Sequence, residues 1–338
     1  MEVFNWYNKY SYSKGIIIMK KYDVVALGEF LIDFTENAIS AQGNPMLEAN
    51  PGGAVCNVLS MLERLGKKTA YIGKVGDDGF GHQLERAIAE QGIALDGLVF
   101  DKEVHTTLAI VTKTADGDRD FSFYRKPGAD VNLKVEEVNE SLIKESKVFH
   151  FGTLSLTDEP AKSATQKALQ LAKENGLLIT FDPNLREPLW DSLEDAKREV
   201  ADGMSLCDAV KISDNEIQWF TGKEDYDEGI AVLRKTYPNI KLVCLTLGAD
   251  GSRAYYKDLR IEKAGFKATG DIETTGCGDT FTGSMINSIL DTGIDNFDAT
   301  SLEDLLTFAN AAASIVATRK GALRVMPTKE EVIARINK

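Results

Sequence analysis

Residues 273–283 read Glu-Thr-Thr-Gly-Cys-Gly-Asp-Thr-Phe-Thr-Gly, and Phe281, Met285, Ile286, Ile289 and Leu290 keep helical spacing from there on. A glycine-flanked turn therefore opens a helix. Gly276 and Gly278 let backbone come close to a ligand, and the free N–H groups of the first turn, with the positive end of the helix dipole, suit a phosphoryl group. Asp279 lies one step inside. A carboxylate there repels phosphate, so its chemical use is to take a proton from a hydroxyl poised to attack that phosphate. Taken alone, the stretch fits equally a phosphoryl-transfer centre and an ordinary helix cap beside packing glycines.

The elements that must position this turn read as a doubly wound α/β pattern. A strand over 22–28 ends in Gly28, a helix opens at Pro51-Gly52-Gly53 and closes at Gly66, and a second strand and helix follow over 69–92. That rhythm implies a mainly parallel sheet. It breaks at 97–125, where two strands, 106–113 and 120–125, flank the turn 114–118 without a helix between them. Paired with the irregular stretch 31–50, this hairpin is expected to form a small antiparallel sheet that either closes over the site or packs on a second subunit. Strand and helix then alternate to a hairpin-like pair at 252–266, and an alanine-rich helix is predicted over 302–318.

Composition narrows the partners. The 338 residues, 43% hydrophobic and 27% charged, describe an ordinary globule large enough for one big α/β domain. A formal net charge of −13 argues against nucleic acid or an anionic membrane as partner, since both require a basic face. Cys56, Cys207, Cys244 and Cys277 lack metal-ligand spacing, which predicts a reduced, cytoplasmic protein. Residues 1–18 lack periodicity and precede a Met-Lys-Lys at 19–21, so they are expected to be an extension ahead of a single domain over 19–338.

Ligands gather at the carboxyl ends of strands in such sheets, and Asp33, 182–186, 213–216, 248–251 and the Gly276 turn all fall at predicted strand ends. From residue 22 to 337 the chain resembles the PfkB, or ribokinase-like, family of sugar kinases. Three motifs carry the resemblance: Gly52-Gly53-Ala54-Val55-Cys56-Asn57, Gly73-Lys74-Val75-Gly76-Asp77-Asp78, and Thr274-Thr275-Gly276-Cys277-Gly278-Asp279. Departures are Glu273 and Cys277, where the family has Asp and Ala, and Val55 and Leu59 in place of proline and a small residue. A ribokinase-like fold with a small β-sheet lid, formed by about 31–50 and 97–128, follows from the resemblance.

The same resemblance implies roles. Asp279 is the base, with the N–H groups of Gly276, Cys277 and Gly278 stabilising charge on the transferring phosphoryl. Asp33, Asn57 and the backbone at Gly52 and Gly53 bind the sugar, with Arg125 at the foot of the lid hairpin as a further sugar contact. Lys211, Thr246, Gly248, Gly251 and Asn310 serve the nucleotide. Glu216 organises Mg²⁺ through water, and Glu273 stands where a monovalent cation such as K⁺ is bound. Fructokinase-like runs, Phe123 to Asp130 and Asp182 to Arg186, point to ATP and D-fructose, with 2-keto-3-deoxygluconate kinase as the rival reading. Ribokinase and a catalytically silent sugar- or nucleotide-binding regulator are further alternatives. A homodimer through the lid sheet is expected.

Overall fold

The computed structural model describes residues 20–113, 119–270 and 272–338, so the expected extension and the turn 114–118 lie outside the described residues. In chain order β1 (Tyr22–Leu27), β2 (Leu31–Ile39), β3 (Pro45–Gly52), α1 (Ala54–Arg64), β4 (Thr69–Gly76), α2 (Gly79–Gln91), β5 (Ala94–Asp101), β6 (Leu108–Lys113) and β7 (Arg119–Tyr124) form the first part. Next come α3 (Glu140–Lys144), β8 (Ser146–Gly152), α4 (Ala161–Glu174), β9 (Leu178–Asp182), α5 (Leu193–Leu206), β10 (Ala209–Ser213), α6 (Asp214–Thr221) and α7 (Tyr226–Thr236). The rest is β11 (Leu242–Thr246), β12 (Gly251–Tyr256), β13 (Leu259–Ala264), α8 (Cys277–Thr292), α9 (Ala299–Val316) and α10 (Lys329–Ile336).

The large sheet has nine strands in the order β13-β12-β11-β10-β9-β8-β1-β4-β5, parallel from β11 to β5, with β12 and β13 antiparallel at one edge. Its strands are buried on both faces, as parallel strands under helices must be. Alternation within β1 divides the core. Val25 and Leu27 point into a cluster with residues of α3–α7, whereas Val24 and Ala26 join one with α1, α2, α8 and α9. The chain runs outward from β1 through β4 to β5, then returns to β8 and proceeds the other way, so the strand order reverses between β1 and β8. That reversal opens a crevice at the carboxyl ends of the strands.

The small sheet has the order β3-β2-β6-β7. The sequence suggested an irregular 31–50 and a wholly antiparallel lid. Instead, 31–52 is a hairpin with one register shift between Glu36 and Ala38, and β2 pairs with β6 in parallel. The reason is connectivity: β2 and β6 both leave the main domain at its carboxyl edge, so they set off in the same direction. Residues 97–101, expected in the lid, belong to β5 and pair with β4 in the large sheet. Phe34 of β2 packs edge-on against Phe80 of α2, with ring centroids 5.5 Å apart, which anchors the lid's base to the main domain.

Candidate active site

A cleft of about 790 Å³ lies between the small sheet and the carboxyl edge of the large one. Four strand ends contribute to its wall: Glu29 after β1, Leu154 after β8, Asn184 and Arg186 after β9, and Asn215 after β10. Asp33 and Phe123 enter from the small sheet, where the register Asp33–Ala109–Phe123 puts them on one face. The last wall is the turn into α8, with Gly276, Gly278 and Asp279.

Gly276 caps α8 at φ 80°, a left-handed conformation that side-chain-bearing residues resist, which is why the turn carries glycine there. No side chain caps this helix, so backbone donors remain at its mouth. The Cys277 N–H donates to Thr274 O at 3.2 Å, and Cys277 does not line the cleft. Of the three residues whose N–H groups are expected in the anion hole, Gly276 and Gly278 line the cleft. Beneath Gly278 sits Lys211, close enough that a Cβ at 278 would lie 3.2 Å from Nζ. Lys211 is not a surface ion pair. It is 6% exposed and lies 3.3 Å from Asp182 Oδ1, while Asp182 Oδ2 accepts from Thr282 Oγ1 of α8 at 2.9 Å. Burial opposes the charge on Lys211, but Asp182, Glu216 and Asp279 outweigh it and hold the ammonium protonated.

Asp279 is pushed up to about 6, chiefly by burial, with a donated hydrogen bond from Asn57 and the charges of Lys211 and Arg186 opposing. A carboxylate so tuned is ionised at neutral pH and still basic enough to accept a proton. Asn57 donates from Nδ2 to Asp279 Oδ2 at 2.8 Å. Asn57, assigned from sequence to the sugar, thus also touches the base.

Asp33 is pushed up to about 7, mainly by burial and further by Asp279 and Glu273, against Arg186. The glycines beside it have reasons the sequence did not disclose. A Cβ at Gly52 would lie 2.0 Å from Asp33 Oδ2, and one at Gly53 would lie 2.5 Å from Glu29 O. Gly52 therefore clears space for the Asp33 carboxylate and Gly53 for the β1–β2 connection, and Gly53 also lines the cleft. Glu29, missed by sequence reasoning, is 3% exposed, accepts from Ala54 N–H at 2.6 Å and is pushed by burial up to about 7. An acid placed between the end of β1 and the lid was the available signal. Asn184, also missed, holds φ 44° in the loop after β9.

Several expected contacts belong to the scaffold. Arg125 is 4% exposed, and its guanidinium donates to Asp130 Oδ2 at 2.8 Å, Thr157 Oγ1 at 2.8 Å and Leu154 O at 2.7 Å. It ties the foot of β7 to the main domain and is not among the residues that line the cleft. Asn310 accepts from Ser252 Oγ at 2.8 Å and donates to Lys263 O and Ala264 O, so it joins α9 to β12 and β13. Glu216 closes a capping box with Ser213, and its other oxygen accepts from Leu185 N–H at 2.8 Å. Its carboxylate holds the loop that carries Asn184 and Arg186. Thr246, Gly248 and Gly251 sit at the end of β11, beside β10, outside the cleft wall; Gly251 is where β13 crosses, a Cβ there lying 2.1 Å from Lys263 O. Glu273 joins the approach to α8, its N–H donating to Ala317 O at 2.8 Å. The Gly73 to Asp78 motif is also scaffold: Lys74 is buried against Glu137 and Asp101, and Asp78 caps α2. His150 is a core histidine, bonded through Nδ1 to Thr180 Oγ1 and held by burial near 3.

The family model for pfkB family carbohydrate kinases matches residues 21–329. The chain belongs to the PfkB carbohydrate kinases. As a member of that family it is a phosphotransferase acting on a sugar hydroxyl, and its large parallel sheet with a small second sheet is the ribokinase-like fold. Probable fructokinase-2 from Arabidopsis thaliana is 42% identical over 313 residues, covering 92% of this chain and 94% of that protein. Among solved PfkB-type structures, fructokinase with bound ATP from Xylella fastidiosa superposes with a TM-score of 0.84 at 29% identity, over 94% of this chain and 99% of that one. Fructokinase from Vibrio cholerae O395, bound to fructose, ADP and a calcium ion, gives 0.83 at 29% identity, over 93% and 99%. No helix among the described residues is long and apolar enough to cross a membrane.

Proposed function

We propose that this PfkB kinase transfers the γ-phosphoryl group of ATP to the 6-hydroxyl of D-fructose. The observation that carries the reading is the cleft itself: Asp279 stands at the mouth of α8, beside the Gly276 and Gly278 N–H groups, in the same cavity as Asp33. The fructokinase relatives, one of them holding fructose and ADP, support the substrate. Two carboxylates on the sugar side, Glu29 and Asp33, suit a neutral polyol and disfavour a sugar acid such as 2-keto-3-deoxygluconate, as does the engagement of Arg125 elsewhere. Asp33 accepts sugar hydroxyls, and Phe123 covers the sugar from the lid.

In this mechanism Asp279 removes the hydroxyl proton as the oxygen attacks the γ-phosphorus in line, and the bond from phosphorus to the β–γ bridging oxygen breaks to leave ADP. The Gly276 and Gly278 N–H groups, with the Lys211 ammonium beneath them, offset charge that spreads over the transferring oxygens. Among the described residues no three His, Cys, Asp or Glu side chains cluster as a cage, and both Glu216 oxygens already accept backbone N–H groups. Such a donor set fits Mg²⁺ that is carried by ATP and keeps its waters, with Glu216 acting through one of them. When bound, the ion neutralises the β and γ oxygens. Thr246, Gly248 and Gly251, next to β10, remain the proposed edge for the nucleotide, and Glu273, near enough to Asp33 to raise it, remains the proposed neighbour of a monovalent cation. Exposed Ile39, Met46, Leu47 and Tyr124 on the small sheet support pairing of two copies there, which sedimentation of the free protein tests.

An ADP-release assay with Mg-ATP against fructose, 2-keto-3-deoxygluconate, ribose and adenosine, with and without K⁺, tests the reaction. Turnover on fructose is expected, and Asp279→Asn should keep fructose binding while lowering kcat by about 10²- to 10⁴-fold. Turnover confined to another substrate, or near-wild-type kcat in Asp279→Asn, would overturn the substrate or the base respectively.

A further inference from the structure

We propose that Asn57 is the positioning residue of the base: its amide holds one oxygen of Asp279 so that the other is presented to the sugar hydroxyl. The proposal rests on the kinase reading of the cleft and adds to it a residue that acts through Asp279.

An aspartate in the first turn of a helix commonly folds back on the helix's own N–H groups. Asp279 does not; α8 has no side-chain cap, and Asp279 Oδ2 takes its hydrogen bond from Asn57 Nδ2, on another helix 222 positions earlier in the chain. Asn57 is 3% exposed and stands in the first turn of α1, its own N–H donating to Gly53 O. The spacing of the two helices is fixed by contact. A Cβ at Gly283 of α8 would lie 2.8 Å from Met61 Cβ and 3.1 Å from Val58 O of α1, so the helices meet with almost no side chain between them. Backbone-close packing of this kind leaves the two first turns little freedom to drift, and the amide and carboxylate meet at 2.8 Å as a result. With Oδ2 taken, Oδ1 is the oxygen left to receive a proton.

The other end of the amide points the same way. Asn57 Oδ1 is buried without a partner among the described residues, yet Asn57 lines the cleft. A buried acceptor left bare is costly, and a sugar hydroxyl donating to it removes the cost when substrate arrives. One amide would thus touch sugar and base together.

The charges facing Asp279 give the sign of the test. Asp182 from the end of β9 raises it, Lys211 of β10 and Arg186 after β9 lower it, and Asp33 of β2 is coupled to it. The Asn57 bond favours the ionised form, so its loss should drive the base further up and leave less of it ionised at neutral pH. A role confined to sugar binding would raise KM and leave the base where it is.

The experiment compares wild type with Asn57→Leu, which keeps size without a donor, and Asn57→Ser, which keeps a shorter one. At saturating ATP and fructose, the acid limb of the kcat profile should move up by about one pH unit in Asn57→Leu, with kcat down about tenfold at pH 5 and only about twofold at pH 7, and by less in Asn57→Ser. A raised KM with an unmoved kcat limb would overturn the proposal. A titration of Asp279 by ¹³C NMR of labelled aspartate carboxyls, assigned by its loss in Asp279→Asn, needs no turnover. Its midpoint should rise in Asn57→Leu, and an unchanged midpoint would refute the positioning role even if no sugar tested is phosphorylated. Failure of wild type on every sugar beside a shifted midpoint would instead remove the substrate reading and keep the Asn57 contact.

Discussion

Replacing Glu29 by glutamine should change how stability depends on pH. The Glu29 carboxyl is raised from the ordinary 4.5 to about 7, because it is buried behind the β1–β2 connection and the Ala54 N–H bond only partly offsets the loss of water. Between those two values the folded protein holds a proton that the unfolded chain has released. Stability from this group is therefore complete below 4.5 and is lost as pH rises through 7, with a total of about 3 kcal/mol from a shift of some two and a half units. Glutamine is neutral at every pH and its carbonyl can still accept from Ala54 N–H, so Glu29→Gln should flatten this part of the curve. Urea unfolding of both proteins between pH 4.5 and 8 reads the difference directly. Relative to wild type, the variant should gain roughly 2 to 3 kcal/mol across that range. A difference that stays constant from pH 4.5 to 8 would refute the argument that Glu29 is buried as an uncompensated acid.

Two further substitutions separate scaffold from site. Gly52→Ala forces the Asp33 carboxylate out of contact distance, and should raise KM for fructose about tenfold or more while costing about 1–3 kcal/mol in urea unfolding; an unchanged KM would show that Asp33 does not meet the sugar. Arg125→Met strands the Asp130 carboxylate, bonded otherwise to Thr107, in the interior. It should destabilise by about 3–5 kcal/mol with KM for fructose changed only a few-fold, and a large rise in KM at unaltered stability would return Arg125 to the sugar pocket.

What the sequence disclosed follows from how local each signal is. The helix opening at Pro51-Gly52-Gly53 and the turn into α8 were legible because periodicity and glycine spacing are properties of neighbouring residues. The hairpin at 31–52 was not, because its outer half is exposed on both strands and lacks the alternation that marks a half-buried strand. For the same reason the parallel pairing of β2 with β6 was invisible: it is set by where two connections leave the main domain. Arg125 and Asn310 show how a role can lie beyond the sequence. Their motifs stand where family members bind ligands, but a polar side chain's role depends on which partners reach it first, and here Asp130 and Ser252 do so from other elements. Glu29 was overlooked because nothing in its neighbours says that it will be buried; only the fold of β1 into β2 does that.

The Asn57–Asp279 bond closes a loop of 222 positions, and that separation has a consequence for how the protein is made. During synthesis the groups proposed for the sugar, Asp33 and Asn57, emerge long before the helix that carries the proposed base, Asp279. A nascent chain that has completed β1 to β11 can assemble much of the parallel sheet, yet it lacks α8 and α9, so one face of that sheet is covered only by α1 and α2 and the turn into α8 is missing. Contacts this distant form late, since chain closure must come before they can stabilise anything. The enzyme is therefore silent towards ATP until nearly its whole length has been released and folded, and the apolar area awaiting α8 and α9 stays exposed until then.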